Sequence, residues 1–97
     1  MPAYVIVDVE ITDPKEYEEY KKHTPGSLVP FDGKFLTRGG AVETLEGDWK
    51  PGRMVVVEFP SMEKAKAWWN SPGYAPAKLN RQRASNTKMI LVDGING

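Results

Sequence analysis

The chain has 97 residues, with thirteen basic and thirteen acidic side chains and no cysteine. We expect residues 1–97 to form a single domain that buries roughly 60 to 70% of its unfolded surface and therefore folds without disulfides or metal. Neither sign of charge is clustered, which excludes electrostatic recruitment of nucleic acid or anionic lipid, and the lack of cysteine excludes thiolate nucleophiles and thiolate metal sites.

The first predicted element is a strand, YVIVDVEI, over residues 4–11. Successive side chains of a strand point to opposite faces, so the odd-numbered positions from 3 to 11 form one wholly apolar face. The other face carries Tyr4, Ile6, Asp8 and Glu10. The apolar face belongs to the core, and the acids indicate that the other face has a second purpose.

A helix is predicted to begin at residues 13–16, where Asp13 caps it, proline fits the first turn and glutamate completes a capping box. The prolines at 25 and 30 interrupt its pattern, so we expect a shorter helical piece to follow and to end near residues 32–33.

KFLTRGG at 34–40 and AVETLE at 41–46 predict one extended segment that bends at its two glycines. The turn-rich residues 46–52 lead into RMVVVEF at 53–59, which completes a long hairpin.

Ser61 is predicted to cap a second helix that ends at residues 71–73. Further helical turns from about Tyr74 to Ala84 lead into the last strand, KMILVDG. The order strand, helix, strand, strand, helix, strand predicts an α+β ferredoxin-like βαββαβ sandwich, with a four-stranded antiparallel sheet and both helices on one face.

The sheet face without helices would expose an apolar patch that includes Tyr4, Ile6, Met54 and Val56. Soluble monomers rarely leave such a patch open, so we expect a homodimer in which a second copy packs its sheet over this one. Asp8, Glu10 and Glu58 would lie on the enclosed face or at its rim. Buried carboxylates need a cation, and Arg38 reaches them if the bend leaves it on the same face.

A resemblance to a known family rests on four features: RGG at 38–40, LEGDWKPGR at 45–53, VVVEFPS at 55–61, and the later Ala65, Trp68, Ser71-Pro72 and Tyr74. In this order and spacing the chain resembles a small bacterial domain of unknown function, number thirteen-thirty, over nearly its whole length. The resemblance implies the dimeric α/β-barrel superfamily, with a ferredoxin-like protomer and a sheet-to-sheet dimer. That superfamily includes cofactor-free monooxygenases, lactone isomerases, chlorite dismutase, haem peroxidases and members without known chemistry, so fold analogy selects no activity.

His23 is the one side chain whose ordinary pKa lies near neutrality, so it is a candidate acid or base; a solvated residue at a helix end is the alternative. Arg38, with Gly39 admitting close approach, would bind the carboxylate of a small organic acid, or else serve as countercharge to the acids. Asp8 and Glu58 would act as general base and partner, or else as an interface ion-pair network.

An apolar ligand pocket would be lined by Trp49, Trp68, Trp69 and Tyr74, or else these aromatics form part of the core or an interface. The acids are too scattered for a hard-cation loop, so we expect no metal and no cofactor, although a haem would need only one axial histidine.

Two functions follow from these candidates. One is a small-molecule enzyme, isomerase-like or cofactor-free oxygenase-like, with a polar pocket enclosed by the dimer; the alternative is a noncatalytic homodimeric metabolite-binding or structural protein. An RNA-binding sheet module is excluded because acids occupy the positions where that module stacks bases. No apolar span of about 20 residues and no signal-like segment occurs, so we expect a cytoplasmic protein without a membrane partner.

Overall fold

The computed structural model describes residues 1–95 and has the predicted ferredoxin-like α+β fold. Its elements are β1 (Ala3–Ile11), α1 (Pro14–Leu28), a 3-10 turn (Val29–Phe31), β2 (Lys34–Arg38), β3 (Arg53–Phe59), α2 (Met62–Trp69), α3 (Ala75–Ala84) and β4 (Ser85–Asp93). The strands form one antiparallel sheet in the order β2-β3-β1-β4. No helix within residues 1–95 has the length and apolar character needed to cross a bilayer.

The two faces of the sheet differ as the alternation in β1 predicts. Val5, Val7 and Val9 are buried against the helices, whereas Tyr4 and Ile6 on the other face remain partly exposed. The helices therefore cover one side of the sheet, and the side that we call the open face is left without a covering layer.

Helix α1 begins as the sequence predicts, with the Asp13 carboxylate accepting a hydrogen bond from the Glu16 amide at 3.3 Å. The helix continues through Pro25 to Leu28 before the 3-10 turn. Asp32 follows in the left-handed conformation, with φ of 57°, and ends the helical segment where the sequence indicated.

The predicted extended segment over residues 41–46 is wrong. Strand β2 ends at Arg38, and residues 39–52 form no strand. A bulge between Phe35 and Thr37 twists the end of β2, and Gly39 adopts φ of +77°, which turns the chain away from β3. The last strand, by contrast, is longer than predicted and begins at Ser85.

The core between helices and sheet is aromatic. Trp68 stacks on Tyr74 with ring centroids 4.0 Å apart, and on Phe59 at 5.4 Å. The Trp68 indole donates to the Ser27 hydroxyl at 3.1 Å, so its polar atom is satisfied although it is buried. This packing holds the fully buried Tyr74 within the core.

Candidate functional site

Arg81 on α3 is a buried cation without an acidic partner in the described chain. Its relative exposure is 4%. Its Nε donates to the Tyr74 hydroxyl at 3.4 Å, and no carboxylate of residues 1–95 forms a salt bridge with it. A guanidinium does not lose its proton in proteins, so a buried one carries an electrostatic cost unless an anion lies beside it. Arg81 therefore indicates an anion-binding position.

The groups beside Arg81 in the core are tyrosine hydroxyls. The hydroxyls of Tyr74 and Tyr20 lie 3.3 Å apart, and Tyr74 is fully buried. Burial, and then the neighbouring Tyr74, raise the pKa of Tyr20 well above its ordinary value. Burial also raises the pKa of Tyr17, which stacks on Tyr20 with ring centroids 5.3 Å apart. Because Tyr20 and Tyr17 stay protonated at neutral pH, neither of them supplies the missing negative charge.

Arg81 lines a crevice of about 480 Å³ between the end of α2, the last turns of α3 and the outer strand β4. We call it the Arg81 crevice; it is lined by Trp69, Arg81, Gln82, Ser85, Asn86, Thr87 and Met89. These residues offer one cation, hydroxyls, amides and an indole ring, but no carboxylate and no histidine. Such a wall suits a bound carboxylate, which accepts hydrogen bonds and fits the planar guanidinium.

The indole of Trp69 forms a rigid side of the crevice. The Lys78 ammonium lies 4.3 Å from the centre of its ring and the Arg81 guanidinium 5.6 Å from it. The Lys78 ammonium also donates to the Trp69 carbonyl at 2.9 Å. Both cations thus contact the Trp69 ring, and of the two only Arg81 lines the crevice.

Within residues 1–95, no group of three or more histidine or acidic side chains lies close enough together to hold a metal ion.

The family model described as Domain of unknown function (DUF1330) matches residues 2–95. The chain belongs to this family. No curated protein matches the sequence.

Solved structures share the fold of this DUF1330 protein. A protein of unknown function from Rhodopseudomonas palustris, RPA0582, is 19% identical, with a TM-score of 0.77 over 99% of this chain and 84% of that one. A dimeric ferredoxin-like protein of unknown function from Jannaschia sp. CCS1 is 13% identical, with a TM-score of 0.75 over 97% of this chain and 100% of that one. SnoaB, a cofactor-independent oxygenase from Streptomyces nogalater, is 14% identical, with a TM-score of 0.66 over 99% of this chain and 95% of that one.

Of the residues singled out in the sequence, Trp69 lines the Arg81 crevice, and Tyr74 lies at the site, since its hydroxyl contacts Arg81. Trp68 lies one layer deeper and packs against Tyr74 in the core, where it is 2% exposed. It forms no part of the lining of the Arg81 crevice, but it does line an apolar cleft between α2 and β4, so the pocket-lining role stays a prediction.

The expected pairing of Arg38 with Asp8 or Glu58 is wrong for the described protomer. Because the bulge before Thr37 shifts the register, Arg38 lies opposite the buried Val55 and its side chain is on the helix side of the sheet. There its Nη2 donates to the Lys21 carbonyl at 2.7 Å.

Gly39 faces another cation. A Cβ placed on it would lie 2.5 Å from Nη1 of Arg53, so this glycine admits the Arg53 side chain. That guanidinium lies 5.6 Å from the centre of the Tyr17 ring. The space beside Gly39, where a ligand was expected to approach the backbone, is therefore occupied by the Arg53 side chain.

Asp8 and Glu58 do not come together as expected. Asp8 lies opposite Met54 in the sheet, whereas Glu58 lies opposite Tyr4, four residues before Asp8 in β1. The Asp8 carboxylate instead accepts hydrogen bonds from the Trp49 indole at 3.1 Å and from the Gly52 amide at 2.9 Å. Asp8 therefore anchors the segment that joins β2 to β3.

Glu58 and His23 have partners elsewhere. The Lys34 ammonium lies 3.9 Å from Glu58. His23 is exposed on α1, with its Nε2 3.7 Å from Glu19, and it lines a separate groove of about 650 Å³ together with Ser71. A catalytic role for His23 or Glu58 stays a prediction, and neither residue lines the Arg81 crevice.

Arg81 was not among the residues predicted from the sequence, although a signal for it was present. Tyr74, Ala77, Arg81 and Ala84 follow a helical spacing, and all four are buried. A cation in the middle of an apolar helical stripe is unusual, because charged residues are seldom fully buried unless they are paired. The spacing of these four residues is therefore enough to mark Arg81 as a candidate.

Proposed function

We propose that this protein is a homodimer that binds a small organic acid, with the carboxylate held by Arg81. The observation that carries the proposal is the burial of Arg81 beside a crevice, without an acidic partner in residues 1–95. A bound carboxylate would supply the missing charge in bidentate geometry, and a remaining acceptor position would receive a bond from the Gln82 amide. The Ser85 hydroxyl donates to the Arg81 carbonyl at 2.6 Å, and the Asn86 amide donates to Glu10 at 2.9 Å.

The homodimer is supported by the open face of the sheet. Ile90 and Val92 on this face are 59% and 41% exposed, and Tyr4, Ile6 and Val56 beside them are only partly covered. A second copy would remove this apolar surface from water. The Jannaschia protein, which shares the fold, is described as dimeric. The acids on this face argue against a nucleic-acid partner, and the cytoplasm is our proposed compartment on the sequence argument alone.

A second candidate function is a cofactor-free oxygenase-like enzyme, favoured by the fold shared with SnoaB and by the Arg81–Tyr74 contact. A cation backed by hydroxyl donors would stabilise a substrate oxyanion formed by loss of a proton. The residues that line the crevice include no acid or histidine to take that proton. Geometry therefore favours the binding function, and catalysis would require a base from the substrate or from a partner subunit.

The experiment is a titration of the protein with butanoate, monitored through the NMR signals of the Trp69 indole N–H and the Arg81 Nε–H. We expect saturable shifts at both positions in the wild type. Arg81→Lys keeps the charge but loses the bidentate geometry, so binding should weaken at least tenfold. Arg83→Gln, an exposed arginine two residues away, is the matched control and should bind as the wild type does.

The proposal fails if wild-type protein shows no saturable shift. It also fails if Arg83→Gln weakens binding as much as Arg81→Lys does, since the loss of binding would then not be specific to position 81. Circular dichroism melting of each variant separates loss of binding from loss of the fold.

A further inference from the structure

We propose that the acid bound at Arg81 is amphipathic, with an apolar tail of about six carbons or more lying in a second cleft beside the Arg81 crevice. This inference rests on the proposed function and names the class of ligand: medium-chain aliphatic or aryl-substituted carboxylates.

The apolar cleft lies between α2 and β4 and has a volume of about 230 Å³. Its walls include Ala65, Trp69, Met89 and Leu91, and Lys66 is the one charged residue that lines it within residues 1–95. Trp69 and Met89 also line the Arg81 crevice, so the two spaces share a wall. A molecule that enters beside Arg81 therefore meets apolar surface directly past the indole of Trp69.

The division of charge between the two spaces determines what fits. The crevice presents a guanidinium, whereas the side chains of Ala65, Met89 and Leu91 in the cleft offer only carbon and sulfur atoms. A carboxylate placed among these three side chains would lose water and gain no partner from them, so an apolar group fits this part of the cleft better. An apolar tail gains from the same surroundings, because it leaves water.

The size of the cleft sets the length of the tail. An apolar cavity of about 150 Å³ accommodates a benzene ring. The cleft is larger than that, at about 230 Å³, so it has room for an aryl ring or an alkyl chain of similar size. Acetate and propanoate would leave it empty.

The first test uses unmodified protein and straight-chain carboxylates from butanoate to decanoate, titrated as described for butanoate. Each methylene that enters the cleft should tighten binding about fourfold, until the cleft is filled and the series levels off. Octan-1-ol and octylamine carry the tail of octanoate without its negative charge, and we expect both to bind at least tenfold more weakly than octanoate.

The second test fills the apolar cleft. Leu91→Trp places an indole there, at a residue that lines the cleft and does not line the Arg81 crevice, so butanoate should still bind while the gain from butanoate to octanoate is lost. Leu79→Trp is the control, because Leu79 is 50% exposed on α3 and lines neither space. It should keep the wild-type dependence on chain length.

The outcomes separate this inference from the proposed function. If butanoate binds and longer chains bind no more tightly, the apolar tail is excluded while the anion site stands. If octan-1-ol binds as tightly as octanoate, the cleft takes apolar molecules without Arg81 and the inference is wrong. If no carboxylate binds, the proposed function fails, and this inference fails with it.

Discussion

Arg38 donates a hydrogen bond to the carbonyl oxygen of Lys21 at 2.7 Å, across from β2 to α1. In an unbroken helix this carbonyl would accept from the amide four residues later, but that residue is Pro25, which has no N–H. Arg38 therefore replaces the bond that Pro25 removes, while its guanidinium lies 4.5 Å from the centre of the Phe35 ring. The arginine expected to bind a ligand has a structural partner instead.

The hydrogen bond from Arg38 to the Lys21 carbonyl should contribute to stability. Arg38→Ala should lower the free energy of unfolding by about 1 kcal/mol, the usual contribution of one hydrogen bond. In a Pro25→Ala background the alanine amide is able to reach the Lys21 carbonyl, so the same change should cost less. Urea denaturation of the four proteins in this double-mutant cycle gives the coupling. Equal costs in both backgrounds would contradict the shared role.

Gly39→Ala should destabilise the fold. Gly39 has φ of +77°, and an added Cβ would lie 2.5 Å from Nη1 of Arg53. The left-handed conformation alone costs a non-glycine residue about 1–2 kcal/mol, which thermal or urea unfolding detects easily. Gly40→Ala is the control, because a Cβ there meets nothing within 4 Å. The explanation is wrong if the two substitutions have the same effect.

The buried tyrosine pair predicts a loss of stability at high pH. Because the pKa of Tyr20 is raised in the folded state, the unfolded chain releases this proton first, near pH 10. Below pH 10 both states hold the proton. Above pH 10 the unfolded state binds fewer protons, so the free energy of unfolding falls by up to about 1.4 kcal/mol per pH unit for this group.

Tyr20→Phe removes that group, so urea denaturation between pH 9 and 11 should show a shallower decline than in the wild type. Tyr17, whose pKa is also raised, would account for part of the decline that remains. Tyr4→Phe on the open face leaves the Tyr20–Tyr74 pair intact and should follow the wild type. An unchanged slope in Tyr20→Phe would show that the pair is not the source.

The proposed homodimer predicts that a charge on the open face produces monomers. Ile90→Glu places a carboxylate at a position that is 59% exposed in the protomer and would be covered in the dimer. Sedimentation velocity at micromolar concentration should show a dimer for the wild type and a folded monomer for this variant. Leu79→Glu, at a similarly exposed position on α3, should remain dimeric. A monomeric wild type would refute the homodimer.

The fold could be predicted because the main sequence features that specify it are local. The alternation in β1, the cap at Asp13 and the turn residues before β3 each depend on neighbours in the sequence. These signals determine the order of the elements, and a small domain has few ways to pack that order into one sheet with two helical segments on it.

The site was harder to predict because it depends on register. A bulge that inserts Leu36 moves Arg38 to the helix side of the sheet, and no local sequence pattern predicts this bulge. The separation of Asp8 from Glu58 likewise follows from which residues pair between β1 and β3. Arg81 was visible as a cation on an apolar stripe, but its lack of an acidic partner emerges only when the chain is folded.

Soaking a crystal with 4-bromobutanoate shows where the acid binds, since the bromine gives an anomalous signal that locates the ligand. We expect a carboxylate within hydrogen-bond distance of the Arg81 guanidinium and a bromine peak beside Trp69. A fully occupied ligand beside Arg38 or His23, with the Arg81 crevice filled only by water, would contradict this expectation.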